Sequence, residues 1–153
     1  MRPLLLSAAA LLLPLSPAFA AEPTIVETPQ AVQWVDAPPS LPKGAKLAVL
    51  FGDPGREGEL FIVRGRLPAG AKIPPHTHPT AETVTVISGA FYVGMGEKFG
   101  LEAAKKVEPG GFIAMPAEHA HFGFVNDETV VEISAIGPFA INYLDPADDP
   151  SKH

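Results

Sequence analysis

Short apolar runs, each closed by glycine or proline, fix the class of fold open to this chain. Ala45 to Phe51 (AKLAVLF) ends at Gly52-Asp53-Pro54-Gly55, and Glu59 to Leu67 (ELFIVRGRL) ends at Pro68-Ala69-Gly70. Glu82 to Ile87, Ala90 to Gly96, Gly110 to Met115, Thr129 to Ile136 and Phe139 to Leu144 repeat the pattern, with Gly137-Pro138 breaking the last two apart. β-Branched and aromatic residues dominate these runs, and none carries a helical period. About seven or eight short strands with Gly/Pro turns predict an all-β sandwich or barrel. In Glu59–Leu67, Phe61, Val63 and Leu67 share one face and Arg64 and Arg66 the other, so the arginines are expected in solvent, with a substrate carboxylate as the alternative partner. No internal repeat is present.

The chemistry concentrates in Gly70 to Gly89 (GAKIPPHTHPTAETVTVISG). His76 and His78 are one residue apart and therefore share a strand face. Glu82 follows the turn-forming Pro79-Thr80, and a hairpin would return it beside the two imidazoles. Two neutral nitrogens and a carboxylate oxygen then converge, a ligand set suited to a divalent transition metal. A pair of surface histidines near a strand end is the plain alternative. Four of the five histidines lie between positions 76 and 121, a clustering that favours a metal site over scattered structural roles.

The spacing of Gly70, His76, His78, Glu82 and Gly89 resembles the first signature motif of the cupin superfamily at every specified position. The second motif is matched in degraded form from Gly110 to Asn126. There Gly110, Pro116 and His121 stand where the motif places its Gly, Pro and metal-binding His, whereas Glu118 replaces a turn glycine and Val125 an asparagine, with Asn126 one residue late. The resemblance covers roughly residues 45–137. It implies a single-domain cupin, a jelly-roll β-barrel (double-stranded β-helix), of the small secreted kind similar to RmlC-like proteins or the ChrR-like cupin half of zinc anti-sigma factors.

By motif position the metal ligands are His76, His78, Glu82 and His121, with His119 the competing candidate for the last place. Three His and one Glu leave one or two positions open on an octahedral ion, the mark of a site that does chemistry. Fe, Mn, Ni, Cu and Zn all suit this mixed set. His119 as a proton shuttle and Tyr92, should it face the pocket, are the catalytic candidates. Val84, Val86, Phe91, Met95, Phe112, Met115 and Phe124 are expected as apolar walls suited to a small organic substrate.

The expected domains are a signal peptide at 1–20, an extended arm at 21–44, the barrel at 45–144 and a frayed tail at 145–153. Residues 1–20 carry Arg2, an apolar run broken by Pro14 and Pro17, and the cleavage signal Ala18-Phe19-Ala20, which predict export to the periplasm or medium. An uncleaved anchor is the alternative, for which the run is short. The proline-rich arm is expected to hold one strand around Ala31–Val35, with Trp34 as its packing anchor. Without Arg2 the chain has ten basic and seventeen acidic residues, a balance that argues against nucleic acid or an anionic membrane as partner. It has no cysteine, which excludes disulfides, thiolate metal sites and a cysteine nucleophile. The expected function is a metal-dependent enzyme, dioxygenase- or decarboxylase-like, on a small molecule. A non-catalytic metal- or ligand-binding sensor module is the alternative, a storage protein with a vestigial site a third reading, and a second copy of the chain a further candidate partner.

Overall fold

The computed structural model describes residues 24–153, so the expected signal peptide lies outside the described residues. Eleven strands follow in chain order: β1 (Val35–Asp36), β2 (Lys46–Phe51), β3 (Leu60–Leu67), β4 (Lys72–Thr77), β5 (Glu82–Ser88), β6 (Phe91–Met95), β7 (Lys105–Val107), β8 (Phe112–Met115), β9 (His121–Phe124), β10 (Thr129–Ile136) and β11 (Asn142–Tyr143). They form two antiparallel sheets facing each other as a jelly roll. The six-stranded sheet has the order β1-β2-β3-β10-β5-β8 and the five-stranded sheet β11-β4-β9-β6-β7. The ladders of the two sheets do not join, so the expected barrel is two facing sheets and not one closed cylinder of hydrogen bonds.

Alternation along the strands builds the core between the sheets. Phe61, Val63 and Leu67 of β3, Val84 and Val86 of β5, Phe91 and Val93 of β6, and Val131 of β10 all point inward and are buried. Burial of this apolar area is the main favourable term holding a fold that has no disulfide. Arg64 and Arg66 take the outer face of β3. The Arg64 guanidinium donates to Glu132 at 2.9 Å, and Arg66 lies 4.3 Å over the Trp34 ring. Trp34 thereby fastens the arm to the six-stranded sheet. Arg66 Nε is buried without a hydrogen-bond partner among the described residues, consistent with a guanidinium held by its ring contact.

Three local expectations change. The arm forms a strand only at Val35–Asp36, which pairs with Leu47 and Lys46, and Ala31 sits in a turn instead. Gly137-Pro138 does not merely interrupt a strand. It carries the chain from β10 in one sheet to β11 in the other, where Asn142 and Tyr143 pair with Thr77 and His76. The chain likewise changes sheets between β4 and β5, so His76 and Glu82 are not joined by a hairpin. The tail makes two 3₁₀ turns, Pro146–Asp148 and Pro150–Lys152. Asp145 and Asp149 cap them by accepting from the amides of Ala147 and Ser151.

Candidate metal centre

The site sits at the end of the jelly roll where the chain passes from one sheet to the other. His76 near the end of β4 and His121 at the start of β9 are register partners in the five-stranded sheet, which sets their side chains on one face. His78 lies just past β4, still on the inward parity. The turn Pro79–Ala81 then delivers Glu82 as the first inward residue of β5 in the opposite sheet. All four side chains are buried, each 4–5% exposed. Gly89, which closes the stretch, has φ +76° and passes so close to the next loop that a Cβ would lie 2.6 Å from the Glu128 carbonyl oxygen. Only glycine serves there.

Each imidazole is held by a backbone carbonyl. His76 Nδ1 is 2.7 Å from Pro74 O, His78 Nδ1 2.7 Å from Ala140 O, and His121 Nδ1 2.9 Å from His119 O. A carbonyl oxygen can only accept, so each Nδ1 must carry the hydrogen and donate it. In a neutral ring the hydrogen is then on Nδ1, and Nε2 is the atom that offers its lone pair to the cluster. One ring nitrogen from each of His76, His78 and His121 lies within 4.8 Å of the other two. Phe139 stacks on His78, with centroids 4.5 Å apart, and braces it from the far side.

Glu82 completes the cluster. Its Oε1 is 3.2 Å from His78 Nε2 and 3.3 Å from His121 Nε2. Burial works against its ionisation, but the contacts with His121 and His78 outweigh that and bring its pKa down to about 2. His76 is brought down to about 3, by burial first and then by neighbouring His121, so it is neutral at ordinary pH. A carboxylate and several inward lone pairs at this spacing need positive charge between them, either protons on Nε2 or one shared cation. The donor set fits a divalent transition metal: three imidazole nitrogens oriented by carbonyls and one carboxylate oxygen.

The cluster forms part of the wall of a cavity of about 260 Å³ between the sheets. Val84, Phe91 and Met115 line it as expected, whereas Val86 packs in the core beside it. Gly123 admits the Phe91 ring, which would collide with any Cβ there. Three expected wall residues lie elsewhere. Phe112 points outward from β8 and is 63% exposed, Met95 at the last position of β6 is 49% exposed, and Phe124 is on the outer face of the five-stranded sheet.

The two catalytic candidates are not at the cavity. Tyr92 lies between inward Phe91 and Val93, so it faces out, and its ring stacks on Phe124 at 4.7 Å. The side chain of His119 is exposed, and only its carbonyl serves the site, through His121. Glu118, at φ 58°, fills the place of the missing turn glycine, and its amide donates to the His78 carbonyl at 2.9 Å. Tyr143 and Phe139 are the residues sequence reasoning missed. The Tyr143 ring is 5.9 Å from that of His76, and its hydroxyl donates to Ser40 O at 2.7 Å. Burial, then the carboxylates of Asp149 and Asp148, push that phenol up to about 12. Both residues lie in a segment that reads only as another strand, and no signal in it marks a link to the histidines.

The Cupin family model matches residues 53–140, more than half the chain. The chain belongs to the cupin family. A search of curated proteins finds no match to this cupin. Among solved structures it is similar to the polyketide cyclase RemF from Streptomyces resistomycificus, at 17% identity and TM-score 0.66, over 83% of this chain and 89% of that one. It is also similar to an acetylacetone dioxygenase from Acinetobacter johnsonii, at 16% identity and TM-score 0.64, over 87% and 85%. The complex of Rhodobacter sphaeroides SigE with the anti-sigma ChrR matches at 17% identity and TM-score 0.52, over 71% of this cupin and 50% of that chain. At such identities these likenesses establish the fold.

Proposed function

We propose that this cupin holds a divalent transition metal on His76, His78, His121 and Glu82 and is a metal-dependent enzyme, dioxygenase- or decarboxylase-like, acting on a small organic molecule in the adjoining cavity. One observation carries the proposal: three imidazoles, each aimed by a backbone carbonyl, and the Glu82 carboxylate converge on the wall of an apolar cavity. When bound, the ion supplies Lewis acidity and, if it is iron, manganese, nickel or copper, redox capacity. The protein does the rest. Pro74, Ala140 and His119 carbonyls aim the imidazoles, Phe139 braces His78, and apolar walls keep water from the substrate. Similarity to a dioxygenase and a cyclase supports small-molecule chemistry on this fold, and it leaves the reaction to experiment.

The test is metal analysis of the purified protein, followed by oxygen uptake and carbon dioxide release with phenolic and keto-acid compounds. Stoichiometric metal with turnover is the expected result. Metal without turnover of any compound would assign the chain to the non-catalytic binding modules, and protein without metal affinity would end the proposal. We also propose that the chain is exported and begins near Ala21, on the strength of Ala18-Phe19-Ala20. Intact-mass measurement of the exported protein decides it, since a mass that includes residues 1–20 means an uncleaved leader.

A further inference from the structure

The distribution of charge around the cavity constrains what can fill it. Apolar side chains such as Leu47, Phe61, Val63, Leu67, Met115 and Ile133 make most of the wall. Apart from the three histidines, the charged or ionisable residues on it are Glu82 and Lys46. Glu82 is committed to the cluster. Lys46 reaches the cavity from the outer side of β2, where it is the register partner of Arg66, and its ammonium donates to Asp36 at 2.6 Å. The other two cations of this sheet region also face away: Arg64 is paired with Glu132, and Arg66 lies over Trp34. No cationic side chain of the described residues is therefore aimed into the space beyond the metal cluster.

An ionised group buried in an apolar space without a partner is strongly disfavoured, because it gives up its hydration for nothing in return. A negative charge on a ligand can be met only at the cluster itself. The volume, about 260 Å³, is just under the roughly 300–1,000 Å³ usual for small-molecule sites. We infer that the ligand of this cavity is a compact organic molecule with a single oxygen-bearing head directed at His76, His78, His121 and Glu82. Its body is neutral and apolar, with no second charged group. The inference rests on the reading of the cavity as the substrate site, and it separates neutral-bodied phenols and ketones from dicarboxylates and carboxylated aromatic compounds.

The test compares three probes that share one chelating head: 2-hydroxyacetophenone, its 4-methyl derivative and its 4-carboxylate. Each is titrated by calorimetry into the mature protein with its metal, and the metal content of the same sample is measured. The first two should bind with similar affinity. The carboxylate should bind weaker by roughly tenfold or more, since only its body differs in charge. The methyl derivative controls for size. Equal or tighter binding of the carboxylate overturns the inference, as does failure of the two neutral probes to bind. The outcomes stay distinct from those of the proposed function. A metal-loaded protein that turns over carboxylate-bodied substrates sinks the inference alone. Neutral probes that bind selectively to protein lacking metal affinity sink the enzyme reading and leave the inference standing.

Discussion

The two faces of the five-stranded sheet are made by the same strands, β4, β9 and β6, and are specified in different ways. On the inner face His76 and His121 are oriented by directional bonds to carbonyls, each only two residues back along the chain. On the outer face Tyr92 stacks on Phe124 at 4.7 Å and Phe99 packs on Phe122 at 4.9 Å, an aromatic layer held by contact area. Around the histidines the inner face depends on a few lone pairs, whereas the outer face depends on buried surface alone. Damage to one should therefore change metal binding with little effect on folding, and damage to the other should do the reverse.

Phe122 tests the outer face most severely, because its side chain is fully buried. Phe122→Ala should lower stability by about 3–5 kcal/mol, the usual cost of emptying an aromatic core position. The fraction that remains folded should keep its metal affinity. Denaturant unfolding and metal titration of the same sample check the two halves. A folded variant that has lost the metal would show that the two faces are coupled.

His121 tests the inner face. His121→Ala removes a nitrogen from the cluster and should weaken metal binding by more than about 100-fold, beyond the effect of losing a supporting group. His119→Ala removes an exposed ring and keeps the carbonyl that orients His121, so its metal affinity should match the parent's. Titration of both variants decides between them. Loss of the metal in His119→Ala with retention in His121→Ala would place the ligand one turn position earlier.

A third expectation concerns pH in the chelated protein, which should remain folded because the apolar core and not the ligands sets the strands. His76 takes up a proton near 6.5 when unfolded, but only near pH 3 when folded. Between those values the unfolded chain binds more protons, so stability falls as pH falls. Glu82, moved from 4.5 to about 2, adds a loss of the same sign at lower pH. From pH 7 to 4 the decline should be on the order of 3 kcal/mol, read from denaturant curves. A flat profile over this range would mean that His76 is not buried neutral.

Local features of the centre were legible in sequence, and long-range ones were not. The separation of His76 and His78 alone puts them on one face, and the resemblance adds His121. The acceptor for His78 is Ala140, 62 residues away, and the Ser40–Tyr143 bond spans 103 residues. No spacing rule reaches that far. The facing of Tyr92 was hidden for a different reason. A strand with one wet face marks it with polar residues, but β6 reads Phe-Tyr-Val-Gly-Met because aromatic packing covers its outer side as well. The change of sheet between β4 and β5 was hidden too, since a Pro-Thr turn serves a hairpin and a crossover equally well.

The smallest effect is expected where the second motif departs most from its pattern. Glu118 is in the left-handed region at φ 58°, the one non-glycine residue there among those described. A side chain in that conformation costs about 1–2 kcal/mol. Glycine would remove the strain but would add freedom to the unfolded chain, worth roughly 0.5–1 kcal/mol. It would also remove the 3.3 Å contact with Thr77 Oγ1, which is exposed and weak. The balance predicts that Glu118→Gly is stabilised by roughly 0.5 kcal/mol, a rise of a few degrees in melting temperature. Metal affinity should not move, because the bond that Glu118 supplies to the His78 carbonyl comes from its backbone amide. A destabilised variant would mean that the Thr77 contact outweighs the strain. A stabilised variant with altered metal affinity would mean that the turn tunes His78, and the division between orientation by backbone and stability by packing would fail at this corner of the site.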